Sequence, residues 1–285
     1  MRRAAALTCV CLAASIAACG GESAPPTSGE PERAPPSSSA SAWSTELAFG
    51  VVEGVVRLAE GEEPPGYDDS PFDGPSAGQL PSECAPAHRS DRRPLILDDA
   101  RGVANVAVGA MGDPSRWPRS DTPVVREIHI ADCRLAPLTL TGTVGDRVRI
   151  TNEQTYPFMP DIGAGYLQAV IPDSPMEVPL IQAGVREVHC GFSAPCGRTQ
   201  LIVFHNPVHT VTTEGGHFRL ERAPADQELT LTAYHPLLAA PATATATVGA
   251  GQTVHVEIVV HAPAAPAPGE PPATAAPPEA PPVTP

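Results

Sequence analysis

The sequence predicts an all-β fold built from packed sandwich layers, and three observations carry that expectation. Apolar residues between positions 45 and 262 recur with period two, no window of about eleven residues shows a 3.6-residue period, and Gly and Pro punctuate the pattern roughly every ten residues. Period two puts successive side chains on opposite faces of a strand, so one face is buried and the other is wet. Turn residues at that spacing give the short strands of sandwiches and barrels.

The chain opens with Arg2 and Arg3 before the apolar run "AAALTCVCLAASIAAC", which is too short to cross a bilayer and ends in small residues. Residues 1–18 therefore read as an export signal. Ile16-Ala17-Ala18-Cys19 resembles a bacterial lipobox, which implies cleavage before a lipidated Cys19 and attachment to a membrane through that lipid. The alternative is ordinary cleavage after Ala18 without a lipid. Gly20 and Gly21 carry no retention signal, so the expected address is the cell envelope, as an outer-membrane lipoprotein facing periplasm or cell surface. Residues 19–45, rich in Pro, Ser, Gly and Glu, have almost nothing to bury and form a disordered linker. Residues 263–285 are an Ala/Pro-rich tail of the same character.

Net charge is −14, and loss of Arg2 and Arg3 takes it to −16. Such acidity argues against a nucleic-acid partner and against a basic membrane-binding surface. Of seven cysteines, Cys9 and Cys11 leave with the signal and Cys19 is modified, which leaves Cys84, Cys133, Cys190 and Cys196. In an oxidising compartment four cysteines point to two disulfides.

Strands follow in order. "VREIHIADC" puts Ile128 and Ile130 on one face, and "DRVRIT" puts Val148 and Ile150 inward with Arg147 and Arg149 outward. "QLIVFH", "ELTLTAYH", "ATATATVG" and "TVHVEIVVH" repeat the alternation, the last with Val254, Val256 and Ile258 opposite His255 and Glu257. The stretch from Glu60 to Arg93 is too long and polar for a tight turn and reads as a surface loop pinned by Cys84. Cys133 is the favoured partner of Cys84, because Cys190 and Cys196 are local to each other.

"DCRLAPLTLTGTVGDRVRITNEQ", followed by "VREVHCGFSAPCGRTQLIVFHNPVHTVTTEGGHFRL", resembles bacterial plastocyanin-like proteins of the methylamine-utilisation type. The resemblance implies a cupredoxin-like β-sandwich, residues 46–206, running directly into a small transthyretin-like, carboxypeptidase-regulatory-like sandwich, residues 207–262. Thr213 to Phe218 resembles that second module's turn, and Tyr234-His235-Pro236 a later motif. Pro224 to Glu228 departs from its usual hairpin sequence.

A blue-copper site takes two imidazoles, one thiolate and a weak axial thioether. In the resembling family the first histidine falls five or six positions after an asparagine; after Asn152 those positions hold Pro157 and Phe158. Cys190 matches the thiolate, but Ser193 stands at the second histidine and Cys196 at the methionine. The resemblance therefore implies that Cys190 and Cys196 oxidise to each other, and no metal is expected. Two alternatives stay open: a soft copper site from Cys190, Cys196, His189 and Met159, and a redox-active thiol pair. Against the former, His189 and Cys190 are adjacent in a strand and point to opposite faces.

His205 and His209 have helix-type metal spacing, but Pro207 and the β pattern exclude a helix. His217, His235, His255 and His261 fall at strand positions where histidine is a solvated or hydrogen-bonded face residue. Asp68, Asp69 and Asp73 form an acidic loop without an EF-hand pattern. "GFSAPCG" lacks the second glycine of a nucleophile elbow and its strand-turn-helix setting. The expectation is a non-enzymatic binding or scaffold protein for an unknown protein or carbohydrate partner, with copper electron transfer or copper delivery through Cys190 as the alternative.

Overall fold

The computed structural model describes residues 47–66, 94–118, 122–163, 168–190 and 196–264. These residues form seventeen strands and two single 3₁₀ turns, with no α-helix among them, so the all-β expectation holds. Cys19, Cys84, Ser193, the acidic loop, the linker and the tail from residue 265 lie outside the described residues.

The first strand sets the organisation. β1 (Phe49–Leu58) buries Val52, Val56 and Leu58 and turns Glu53 and Arg57 to the other face. Two short strands follow as a pair, β2 (Ile96–Leu97) and β3 (Val103–Ala104), and then β4 (Ala107–Met111). Eight strands come next: β5 (Val125–Ala131), β6 (Arg134–Ala136), β7 (Thr139–Thr143), β8 (Arg147–Asn152), β9 (Pro160–Asp161), β10 (Met176–Pro179), β11 (Gly184–Cys190) and β12 (Arg198–Phe204). The chain ends through β13 (His209–Val211), β14 (His217–Pro224), β15 (Glu228–Tyr234), β16 (Ala242–Thr247) and β17 (Thr253–Val260).

Strands β5 to β12 form two four-stranded sheets, ordered β10-β8-β5-β6 and β7-β12-β11-β9. Their inner faces bring Ile128, Ile130, Val148 and Ile150 against Val188, Leu201 and Val203, with Phe158, Ile162 and Leu180 filling the ends. Side chains of this size contribute about 1.5–3 kcal/mol each on full burial. Arg147 and Arg149 face outward as the alternation predicts, and both pair with Glu177 on β10.

Beside the small β2–β3 pair, two further sheets are ordered β14-β1-β17 and β13-β4-β15-β16. They enclose a second core of Val52, Val56, Val108, Leu220, Leu229 and Leu231, joined by Ile258 and Val260. Gly216, at φ +72°, lets the turn before β14 close: a Cβ there would lie 2.2 Å from the Val56 carbonyl oxygen.

The cores divide the chain differently from the boundary expected at residues 206 and 207. β1 and β4 precede the first sandwich yet belong to the second, since β1 pairs with β14 and β17, and β4 pairs with β13 and β15. The eight strands β5 to β12 are thus inserted into a seven-stranded sandwich between β4 and β13. Period two says which face of a strand is buried; it does not say which sheet receives it.

All described residues fall within one compact unit. Where the insertion rejoins its host, Asn206 Nδ2 donates to the Ala110 carbonyl at 2.8 Å, and the Asn206 side-chain oxygen accepts from Val208 N at 2.9 Å. Phe204 reaches across to β4, where a Cβ on Gly109 would meet its ring at 2.2 Å.

Candidate functional site

The candidate site is the end of the inserted sandwich where β9, which follows the loop after β8, pairs with the last residues of β11. Asn152, buried at the close of β8, organises that loop. Its amide donates to the carbonyls of Tyr156 (2.8 Å) and Val170 (2.9 Å), and its Oδ1 accepts from Gln154 N (2.9 Å). The bond to Val170 is buried and the other two are partly so, which makes the loop's path costly to change.

That path delivers Phe158 to the interior. Phe158 is 0 % exposed, exchanges backbone hydrogen bonds with Val170 (3.2 and 2.7 Å), and meets Tyr156 edge-to-face at 5.6 Å between centroids. Pro157 is exposed and Met159 half-buried. A position where the family resemblance implies an imidazole is therefore occupied by an apolar plug that belongs to the core.

In the β11–β12 connection Cys190, the last residue of β11, is disulfide-bonded to Cys196, with Cα atoms 5.3 Å apart. Both are buried and both belong to the inserted core. The Cys196 carbonyl accepts from Leu135 N at 2.7 Å, which ties the loop's far end to β6. Cys133, buried in the β5–β6 turn, is also disulfide-bonded, and its partner lies outside the described residues, as does Cys84.

His189 stands on the opposite face of β11 from Cys190, across the ladder from Asp161 and Arg198. Its Nδ1 lies 3.8 Å from Glu187 Oε1 and has no hydrogen-bond partner. The donor set does not fit copper: the thiolate position is spent in an S–S bond, the neighbouring imidazole faces away, and Phe158 offers no lone pair. Among the described residues no group of three His, Cys, Asp or Glu side chains comes together to hold a metal ion.

The other histidines separate into two kinds. His205 is exposed and His209 tucked in, so the pair shares no site. His209 Nε2 meets Thr143 Oγ1 of the inserted sandwich at 2.9 Å, and its ring stacks on Phe204 at 4.9 Å and 13°. Burial, with Arg126 nearby, pushes its pKa down to about 4. His217, His255 and His261 are exposed, as their strand positions suggest.

His235 is the hydrogen-bonded kind and, unlike the other three, is buried. It is 0 % exposed, its Nδ1 accepts from Leu237 N at 3.2 Å, and burial lowers its pKa to about 4. The sequence signal was there: His235 follows β15 in phase with the buried Leu229, Leu231 and Ala233.

A groove of about 830 Å³ crosses the outer face of the sheet β14-β1-β17. Its floor carries Arg219, Glu53 and His255 in one row across the three strands. Glu53 pairs with Arg219 and lies 3.7 Å from His255 Nδ1, while Arg57 and Glu257 pair at 3.1 Å. These charges are satisfied by one another, and exposed pairs of this kind contribute little to stability.

No family model matches the chain, and no curated protein matches it. Solved structures that resemble part of it include the reduced state of an amicyanin mutant, 24% identical over 30% of this chain and 86% of that one, at a TM-score of 0.25. Another is a reduced Cu(I) form, at pH 4, of a further amicyanin mutant, with 20% identity, 30% and 86% coverage and a TM-score of 0.26. The amicyanin of Paracoccus versutus matches at 18% identity over 30% of this chain and 85% of its own, with a TM-score of 0.26.

Proposed function

We propose that this chain is a lipid-anchored cell-envelope protein that binds or scaffolds a partner without catalysing a reaction. Its inserted sandwich is read as a cupredoxin-like unit that has given up copper. The observation that carries the reading is the bond from Cys190 to Cys196, in the same core as a buried Phe158 that stands at the place of a ligand. Function resides in a site rather than in a fold, and here the residues of the inherited site serve the core. The host sandwich is read as the transthyretin-like module, on the strength of the Thr213–Phe218 turn and the seven-stranded arrangement around it. The Cys19 lipid would hold both sandwiches to the membrane, with residues 19–45 as tether.

Copper titration of the purified, unreduced protein tests the copper part of this reading. The expected result is no stoichiometric copper by elemental analysis and no intense visible charge-transfer band. One copper per chain with such a band would overturn it in favour of an electron carrier or copper chaperone.

A further inference from the structure

We propose that His209 is an acid-released latch between the two sandwiches: neutral, it pins the inserted sandwich to its host, and its protonation frees the inserted sandwich to move while both stay folded. The chain enters the insertion after β4 and leaves it after β12. From the host side, β13 brings His209 against the inserted sandwich, where its Nε2 meets Thr143 Oγ1 of β7 at 2.9 Å and its ring stacks on Phe204 of β12 at 4.9 Å between centroids. The Thr143 end of this contact is braced. The Asp146 carboxylate accepts from Thr143 N, Val124 N and Arg126 Nε, each at 3.0 Å, and so fixes the turn that carries Thr143.

The latch has no place for a second proton. His209 Nδ1 is buried and has no hydrogen-bond partner. The neutral ring therefore carries its proton on Nε2 and donates it to Thr143, because a proton on Nδ1 would be a buried donor without an acceptor. Acid puts a proton there. Two charged groups act on the ring from the inserted sandwich: Arg126 of β5 opposes a positive charge, and Asp146 of the β7–β8 turn favours one. Asp146 is already engaged by Arg126 and two backbone amides, so it does not turn to meet an imidazolium. The other neighbours are uncharged: β7 and β12 offer Thr143 and Phe204, and β4 sets Gly109 opposite the ring. His205 and every charged side chain of β14 are exposed. Burial, with Arg126, thus holds the latched ring at a pKa of about 4, against 6.5 for a ring in water. A ring that binds protons better once released drives its own release, and below about pH 4 the open form gains up to about three-hundredfold over the closed one.

Pulsed electron–electron resonance on the full chain tests this, with nitroxides on Ser174→Cys of the inserted sandwich and Thr245→Cys of the host, both exposed positions. The latch predicts one narrow distance distribution at about pH 7.5 and a broad one at about pH 4, with circular dichroism unchanged. His209→Gln, which still donates to Thr143 and takes up no proton, should stay narrow at both. Thr143→Val strips the latch of its acceptor and should broaden at a higher pH than the parent; it decides the matter where His209→Gln does not fold. A distribution that stays narrow in acid, one that broadens only as circular dichroism is lost, equal broadening in His209→Gln, or an unmoved Thr143→Val overturns the proposal.

Discussion

Removing the Cys190–Cys196 bond should destabilise the inserted sandwich by an amount that its loop length fixes. The bond spans a sequence separation of 6, and the chain-entropy relation for a loop of that size gives a loss of about 2.3 kcal/mol at 25 °C, mostly through release of the unfolded chain. Both sulfurs are buried, so the double substitution Cys190→Ala, Cys196→Ala also forfeits some core packing, which adds to the loss. Of the two tryptophans, Trp43 lies outside the described residues and Trp117 lies in the host core, so indole fluorescence does not single out the inserted sandwich. Amide hydrogen exchange along β11 and β12 does. Protection there should fall about fiftyfold, the equivalent of 2.3 kcal/mol, while β1 and β17 change less. Unchanged protection in β11 and β12 would refute the view that this bond is a structural staple.

Four further outcomes follow from the same geometry. Phe158→Ala, which empties a fully buried ring site, should cost about 3–5 kcal/mol in urea unfolding. His209 and His235 are neutral when folded because burial lowers both pKa values to about 4. Their stabilisation is full above the ordinary histidine value and is lost as pH falls from about 6.5 to about 4; unfolding titrations of His209→Gln and His235→Gln should show a flatter loss than wild type over that window. Gly216→Ala combines a positive φ with a Cβ 2.2 Å from the Val56 carbonyl and should lower stability by more than about 1 kcal/mol, read as a drop in melting temperature. Cys19→Ala should move the protein from the membrane fraction to the soluble one on cell fractionation.

Strands and their faces were legible from alternation alone: Ile128 and Ile130 lie inside, Arg147 and Arg149 outside, and His255 and Glu257 turn away from Ile258 as the pattern requires. The insertion was not legible, because β1 meets β14 and β17 across more than a hundred and fifty residues and nothing local in "FGVVEGVVRL" names those partners. Ligand positions were countable, so Phe158 and Cys196 could be recognised in the sequence as departures. That Phe158 is wholly buried, and that Asn152 ties its loop down with three hydrogen bonds, needed coordinates. The histidines divided by context. His209 is held by Thr143 and Phe204 from another sandwich, a long-range arrangement, whereas the phase of β15 foreshadowed the burial of His235.

The most direct test of the central claim is a thiol count on protein recovered from membranes, native and denatured, before and after reduction. With Cys190 and Cys196 bonded to each other and Cys133 bonded elsewhere, the account predicts no reactive thiol before reduction in either state, and four afterwards from Cys84, Cys133, Cys190 and Cys196. Two reactive thiols at Cys190 and Cys196 in the unreduced protein would contradict it, because that sulfur would then be free to serve as a ligand or a redox group.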